Sequence, residues 1–403
     1  MIKAVEEKPV AGVTQARLLD HKDFERVRTP AFVYDEGLIK QEVGRLRSMA
    51  DDLNCKVLFS LKSFAAVNAL RLMAPMLDGF AASSLFEANL AREVLGGGGT
   101  VHITTPGFRP DEIDSLAEVC DYISFNSLRQ WERFRGGVGG RARCGLRVNP
   151  KLSFIKDERY NPCHTHSRLG VPLDTLVGAL GQRPGNLHQL SGIHFHTNCE
   201  STSLTPLLST VRHLDLHLAD LLGNIEWVNL GGGYQYDEIS SLEPLYQAVE
   251  LLRRKYGLEV FIEPGEAVVG NAGYIISSVL DLFDSGGKTV AVLDTTVNHM
   301  PQVYEYQYRP DVSNATESGR YGYILGGTTC LAGDLFGEYR FDTPLEIGSR
   351  VVFEFMGAYT LVKAHTFNGV NLPGIYALNS ENEIVLKRRY TYQDYVSRWR
   401  DDT

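Results

Sequence analysis

From about residue 30, short apolar runs alternate with stretches whose apolar residues recur at helical spacing. AFVYD precedes LIKQEVGRLRSMADDL, KVLFSLK precedes AAVNALRLMAPML, and GFAAS precedes LFEANLAREVL. VHITT with PDEIDSLAEVC and YISFN with SLRQWERF continue the rhythm, followed by CGLRVNP, LSGIHFH, IEWVNLGGG and EVFIEPG. Buried strands of a parallel sheet look like this: short, apolar on both faces, and bounded by Gly or polar residues. Eight or nine such repeats over about 240 residues match the length of a (β/α)8 TIM barrel, with a doubly wound sheet as the competing architecture.

Beyond residue 270 the texture changes. YIISSVLDLFD, KTVAVLDTT, YGYILGG, RVVFEFMG and EIVLKRRYTY are strand-like, with turn residues between them and few long helical patterns. The pattern therefore predicts a barrel over residues 29–270 and a C-terminal β-rich domain, a β-barrel or sandwich, over residues 271–403. Residues 1–28, ahead of Thr29-Pro30, break the barrel rhythm and are expected to pack on the β domain. GGGG at 96–99 reads as a flexible turn after a helix.

A chain of 403 residues is long enough for two such domains, each with its own core. The net charge of −9 argues against nucleic acid, whose phosphates require clustered Lys and Arg, and fits a cationic ligand. No stretch approaches the ~20 apolar residues of a membrane span, and the start lacks the apolar core of a signal peptide. Six scattered cysteines without a CxxC pair indicate neither a zinc site nor a disulfide framework, so a reduced, cytoplasmic protein is expected.

Barrel enzymes place their chemistry where strands end. Lys62 closes VLFSLK; burial in a barrel mouth lowers an amine's pKa and permits an imine with an aldehyde, although a Lys there also commonly snorkels to the surface. His194 and His196 alternate in GIHFH, and could bind metal, stack on an aromatic cofactor or be satisfied core residues. Gly231, Gly232 and Gly233 let backbone amides approach a phosphate, or form a plain flexible turn. Glu263 closes EVFIE, either solvated before a Pro-Gly turn or beside a pyridine nitrogen that it keeps protonated. Together, in this order, they supply every contact that pyridoxal 5′-phosphate (PLP) needs.

FSLKSF, GIHFHTNCES, NLGGGY, IEPGEAVV, TTCLAGDLFGEY and MGAYT…TFNGV resemble the alanine-racemase-like (fold type III) PLP decarboxylases. Within them TPAFVYDE, ASSLFEA, CGLRVNP, YNPCHTHSRLG and NHMP are similar to the branch that acts on carboxynorspermidine and carboxyspermidine in polyamine biosynthesis. The resemblance implies that Lys62 holds PLP, His196 stacks on its ring, Gly231–Gly233 bind its phosphate and Glu263 pairs with its nitrogen. It further implies that Tyr359 contacts the phosphate and that Cys330 returns a proton after carbon dioxide leaves. In this family that cysteine comes from the other subunit, which implies a homodimer with shared active sites, and Asp334 would sit near the substrate at the same interface.

Two departures from the ornithine and diaminopimelate enzymes narrow the substrate. Glu266 stands where they have an arginine after EPG, and Cys199 with Glu200 where they carry a serine after the histidine strand. Added carboxylates favour a cationic substrate and repel a diacid, so Glu266, Glu200 and Asp334 are candidates for gripping ammonium groups. The branch carries a histidine where this chain has Ala358, and other residues beside Lys62 and Asn198, which leaves the polyamine open. Ornithine, lysine, arginine or a specialised pathway substrate is the alternative substrate, and a racemase or a non-catalytic regulatory homologue is the alternative function. No metal is expected.

Overall fold

The structure, a computed structural model, describes residue 24 and residues 27–182, 187, 189–313 and 315–401. Its first strand, β1 (Ala31–Asp35), is buried at all five positions. It pairs parallel with β16 (Gly374–Leu378) and antiparallel with β11 (Gly273–Ser285), not with the strands of the barrel. Burial on both faces is the same signature in either setting, so the apolar run AFVYD carries no information about its partners.

The chain forms two compact units, residues 45–61 with 76–267, and residues 27–44, 62–75 and 268–401. In the first, eight parallel strands close on themselves: β2 (Lys56–Ser60), β3 (Gly79–Ala82), β4 (Thr100–Thr104), β5 (Tyr122–Phe125), β6 (Arg143–Asn149), β8 (Gly192–His194), β9 (Trp227–Asn229) and β10 (Glu259–Ile262). β10 pairs with β2 to complete the ring, and the two-residue β7 (Val171–Pro172) lies on β6. This is the TIM barrel expected from the alternation of runs.

Local sequence sets the helices between these strands. Ser84 and Ser127 cap helices Leu85–Leu95 and Leu128–Val138 by accepting the N–H of Glu87 and Gln130 at 3.2 and 3.1 Å. Gly96 and Gly139, both in the left-handed region, end them. The barrel floor is filled by Leu58, Ala81, Tyr122, Trp227 and Phe261, with His102 stacked on Tyr122 at 4.0 Å. Gly145 and Gly192 make room for the indole: a Cβ on Gly192 would lie 2.0 Å from a Trp227 ring carbon. Burial pushes His102 down to about 3, so it stays neutral in this layer.

The second unit holds a mixed sheet in the order β14 (Leu335–Phe341), β13 (Tyr321–Gly326), β12 (Lys288–Leu293), β11, β1, β16 and β17 (Ile384–Arg388), with β15 (Arg350–Phe353) also on β11. β12 and β13 run parallel; β11–β12 and β13–β14 are antiparallel. Ala31, Val33, Tyr274, Ile276, Val352, Tyr376 and Leu378 form its core with Phe24 and Val27. The rest of the N-terminal segment expected to pack here, residues 1–23, 25 and 26, lies outside the described residues.

Candidate active site

The predicted residues are far apart in sequence, but the strands that end in them are consecutive around the barrel: β8, β9, β10 and β2. His196 lies two residues past β8, the glycine triplet follows β9, and Glu263 directly follows β10. The Ser60 N–H donates to the Pro264 carbonyl at 3.0 Å, tying the end of β2 to the turn after Glu263. Lys62 follows in the 3-10 turn Leu61–Ser63, two residues beyond β2.

The glycine triplet is threaded between these strand ends. A Cβ on Gly231 would lie 2.4 Å from the Phe195 carbonyl oxygen, one on Gly232 2.1 Å from that of Glu263, and one on Gly233 2.1 Å from that of Asn198. Gly231 and Gly233 also occupy left-handed backbone, at φ 69 and φ 90. Glycine is therefore required here by space and by conformation, and the plain flexible turn is set aside.

Hydrogen bonds couple the loop to its neighbours. The Gly232 N–H donates to His196 Nδ1 at 3.1 Å, which orients the ring and leaves Nε2 as the protonated nitrogen of a neutral imidazole. The Gly231 N–H donates to Asn229 Oδ1 at 2.9 Å, and Asn229 Nδ2 donates to Glu263 Oε1 at 2.7 Å. His194 Nε2 stands 3.6 Å from the other Glu263 oxygen. One continuous polar string thus runs from the triplet to the glutamate, through Asn229, a residue that sequence reasoning passed over. Its position two residues after Trp227 and two before Gly231 was the available signal, because alternate strand positions share a face.

Arg147 was also passed over, inside the quoted CGLRVNP. It is paired in register with His194, and burial lowers its guanidinium to about 10 against the opposing pull of Glu263. Beyond the strand ends, burial first, and then the charges of Glu200 and Asp237, push the Glu266 carboxyl up to about 7. Asp237 sits in an irregular loop and had no periodic signal to reveal it. Among the described residues no three or more His, Cys, Asp or Glu are arranged to hold a metal ion.

In the second unit, Lys62 is exposed, and the carbonyl of its neighbour Ser63 accepts the Tyr359 N–H at 2.8 Å. Tyr359 is held in left-handed backbone at φ 54. Cys330 is exposed on the loop between β13 and β14. Asp334, expected beside the substrate, is 3% exposed, and its carboxylate accepts the N–H groups of Val297 and Thr329 at 2.8 and 3.0 Å.

These residues fit PLP. Three glycines keep side chains out of the loop between the strand ends, a neutral half-buried imidazole is fixed by a loop amide, and a nearly buried carboxylate lies on the same polar string. That is the donor and acceptor set that a phosphate-bearing pyridine would use.

Residues 31–357 match the family model described as pyridoxal-dependent decarboxylase, C-terminal sheet domain. The chain is 37% identical over 390 residues to carboxyaminopropylagmatine decarboxylase of Synechocystis sp., covering 94% of this chain and 98% of that protein. It is 34% identical over 390 residues to carboxynorspermidine/carboxyspermidine decarboxylase of Campylobacter jejuni, covering 93% and 99%. A crystal structure of carboxynorspermidine decarboxylase with norspermidine, from the same organism, superposes with a TM-score of 0.83 at 32% identity, over 92% of this chain and 100% of that one. No helix among the described residues is long and apolar enough to cross a membrane. Matched along most of its length by the family model and by full-length relatives, the chain belongs to the pyridoxal-dependent decarboxylases and uses PLP.

Proposed function

We propose that this enzyme decarboxylates a carboxylated polyamine, an α-amino acid whose long tail carries further positive charge. The observation that carries the reading is the buried Glu266, whose carboxyl is raised first by burial and then by the charges of Glu200 and Asp237 close by. An ammonium or guanidinium group placed there relieves that repulsion, whereas a second substrate carboxylate worsens it. Carboxynorspermidine and carboxyspermidine have such tails, and similarity to the Campylobacter enzyme supports them. The 37% identity to the Synechocystis enzyme supports a second tail, that of carboxyaminopropylagmatine. Its planar guanidinium suits a set of carboxylates able to accept paired N–H groups.

In this reading Lys62 would hold PLP, the Gly231–Gly233 loop and Tyr359 would bind its phosphate, and His196 would contact its ring. Glu263, kept in place by Asn229, would keep its nitrogen protonated. PLP supplies the electron sink that accepts the pair left when the Cα–carboxylate bond breaks. Each turnover releases one carbon dioxide and takes up one proton, which the Cys330 thiol delivers to Cα before it is recharged from solvent. A homodimer with shared sites is part of the proposal: apolar Leu335 and Phe367, 51% and 45% exposed, lie beside the Cys330 loop and next to Asn368 in sequence, where a second copy would cover them.

Carbon dioxide release by the PLP-loaded protein on the three carboxylated polyamines, diaminopimelate, ornithine, lysine and arginine tests this, with Lys62→Ala as control. Strong preference for one or more carboxylated polyamines is expected. Turnover confined to a simple amino acid would overturn the substrate class. Protonation of Glu266 as the pH falls through about 7 removes one tail-binding charge, so KM should rise on the acidic side.

A further inference from the structure

The loop that carries Cys330, residues 327–334, is fastened on both sides of the cysteine. At its end Asp334 turns its carboxylate back into the loop. Oδ2 accepts the Thr329 N–H at 3.0 Å and the Thr329 hydroxyl as well, while Oδ1 accepts the Val297 N–H at 2.8 Å. Gly327 packs against this carboxylate so closely that a Cβ there would lie 2.2 Å from Oδ1. The Cys330 N–H itself donates to Asn368 Oδ1 at 2.8 Å.

Asn368 has a brace of its own. It sits at φ 56 in the 3-10 turn Phe367–Gly369, a left-handed conformation that Asn tolerates better than most residues. The C-terminal segment clasps this turn. Arg398 donates to Thr366 Oγ1 at 3.0 Å, Asn371 Nδ2 donates to the Tyr390 carbonyl at 2.9 Å, and the Tyr395 ring would meet a Cβ on Gly369 at 3.6 Å.

We infer that Asp334 and Asn368 are positioning residues that hold the backbone around Cys330 and so aim its thiol, with Tyr390–Arg398 as the outer brace. The inference rests on the reading that Cys330 delivers the proton. Asp334 then acts through Cys330 and not on the substrate: three donors already occupy a carboxylate that can accept about four. Fixing the residues on either side of the thiol matters because a misplacement of about 1 Å can cost about a hundredfold in rate.

The test uses the full-length protein with Asn368→Ala, Asp334→Asn and Cys330→Ser. Two quantities are read: the rate at which iodoacetamide alkylates Cys330, followed by peptide mass spectrometry with and without PLP, and the amine formed per carbon dioxide released. Asn368→Ala and Asp334→Asn should each change Cys330 alkylation several-fold while the other cysteines are unaffected. Amine per carbon dioxide should drop below one, with kcat down about tenfold to a hundredfold and KM unchanged for short and long tails alike. Asn368 is exposed, so Asn368→Ala keeps the test open if Asp334→Asn does not fold. Wild-type alkylation and product ratio in Asn368→Ala would overturn the inference. A KM rise confined to long-tailed substrates in Asp334→Asn would do so too, returning Asp334 to the substrate. One amine per carbon dioxide at the wild-type rate in Cys330→Ser would instead remove the proton-delivery reading, and this inference with it.

Discussion

Two glutamates flank the same short strand and live in opposite electrostatic company. Glu259 opens β10 at the barrel floor, paired with Lys56, accepting the Tyr122 hydroxyl at 2.9 Å, and 3.7 Å from Arg143. Glu263 follows the last residue of β10 at the mouth, with Asn229 and His194 as neighbours and, three residues on, a carboxyl raised by burial and then by two more carboxylates. The floor satisfies its charge internally, above a layer of fitted aromatic rings. At the mouth, burial and the like charges of Glu200 and Asp237 together raise the Glu266 carboxyl. Stability and function are thus divided along the strand direction, and each end should respond to mutation in its own way.

The largest response is expected from the floor. Trp227 is fully buried, and its indole fills the space that Gly145 and Gly192 leave open. Trp227→Ala should cost about 3–5 kcal/mol of folding stability. Urea unfolding would register this as a lower midpoint, while enzyme that remains folded at low temperature should keep its substrate preference. A changed preference at unchanged stability would break the division.

Much of this division could be read in the sequence, and some of it could not. The strand-closing residues Lys62, His196, Gly231–Gly233 and Glu263 were visible because each apolar run ends abruptly, and a barrel puts such ends at one face. AFVYD looked identical to its neighbours but belongs to the mixed sheet, since the burial pattern of a strand does not encode its partner. Arg147 and Asn229 were inside quoted motifs, yet their part in the site depends on register: Arg147 opposite His194, and Asn229 between the triplet and Glu263. Asp237 and the brace around Cys330 rest on loop contacts between residues distant in sequence, which no local pattern announces.

The mouth should give the next largest effect, and with the opposite sign. The folded enzyme holds the Glu266 proton up to about pH 7, whereas the unfolded chain releases it near the ordinary glutamate value of 4.5. Stability contributed by this group is therefore fully present below about 4.5 and is lost as the pH rises through 7. Glu266→Gln should stabilise the substrate-free enzyme at pH 8 by on the order of 2–3 kcal/mol. It should have little effect at pH 4.5, and KM for a long cationic tail should rise. Denaturant titrations at the two pH values check this. A Gln variant less stable than wild type at pH 8 would show that the mouth is not strained by charge.

The smallest effect belongs to Glu259, although it has two charged partners, Lys56 and Arg143. Its side chain is 29% exposed and that of Lys56 41%, so water screens much of their attraction. Glu259→Gln keeps the shape and one acceptor for Tyr122, and should lower stability by only about 1 kcal/mol or less. That difference should shrink further in 0.5–1 M salt, where the screening length falls to a few Å, roughly 3 Å at 1 M. Neither kcat nor KM should move, because the polar string through Asn229 and Glu263 does not pass through it. A loss of several kcal/mol that persists in salt would mean that Glu259 is a buried, indispensable partner of the Tyr122 hydroxyl. A shift in KM would mean that floor and mouth communicate along β10, and the separation between them would have to be abandoned.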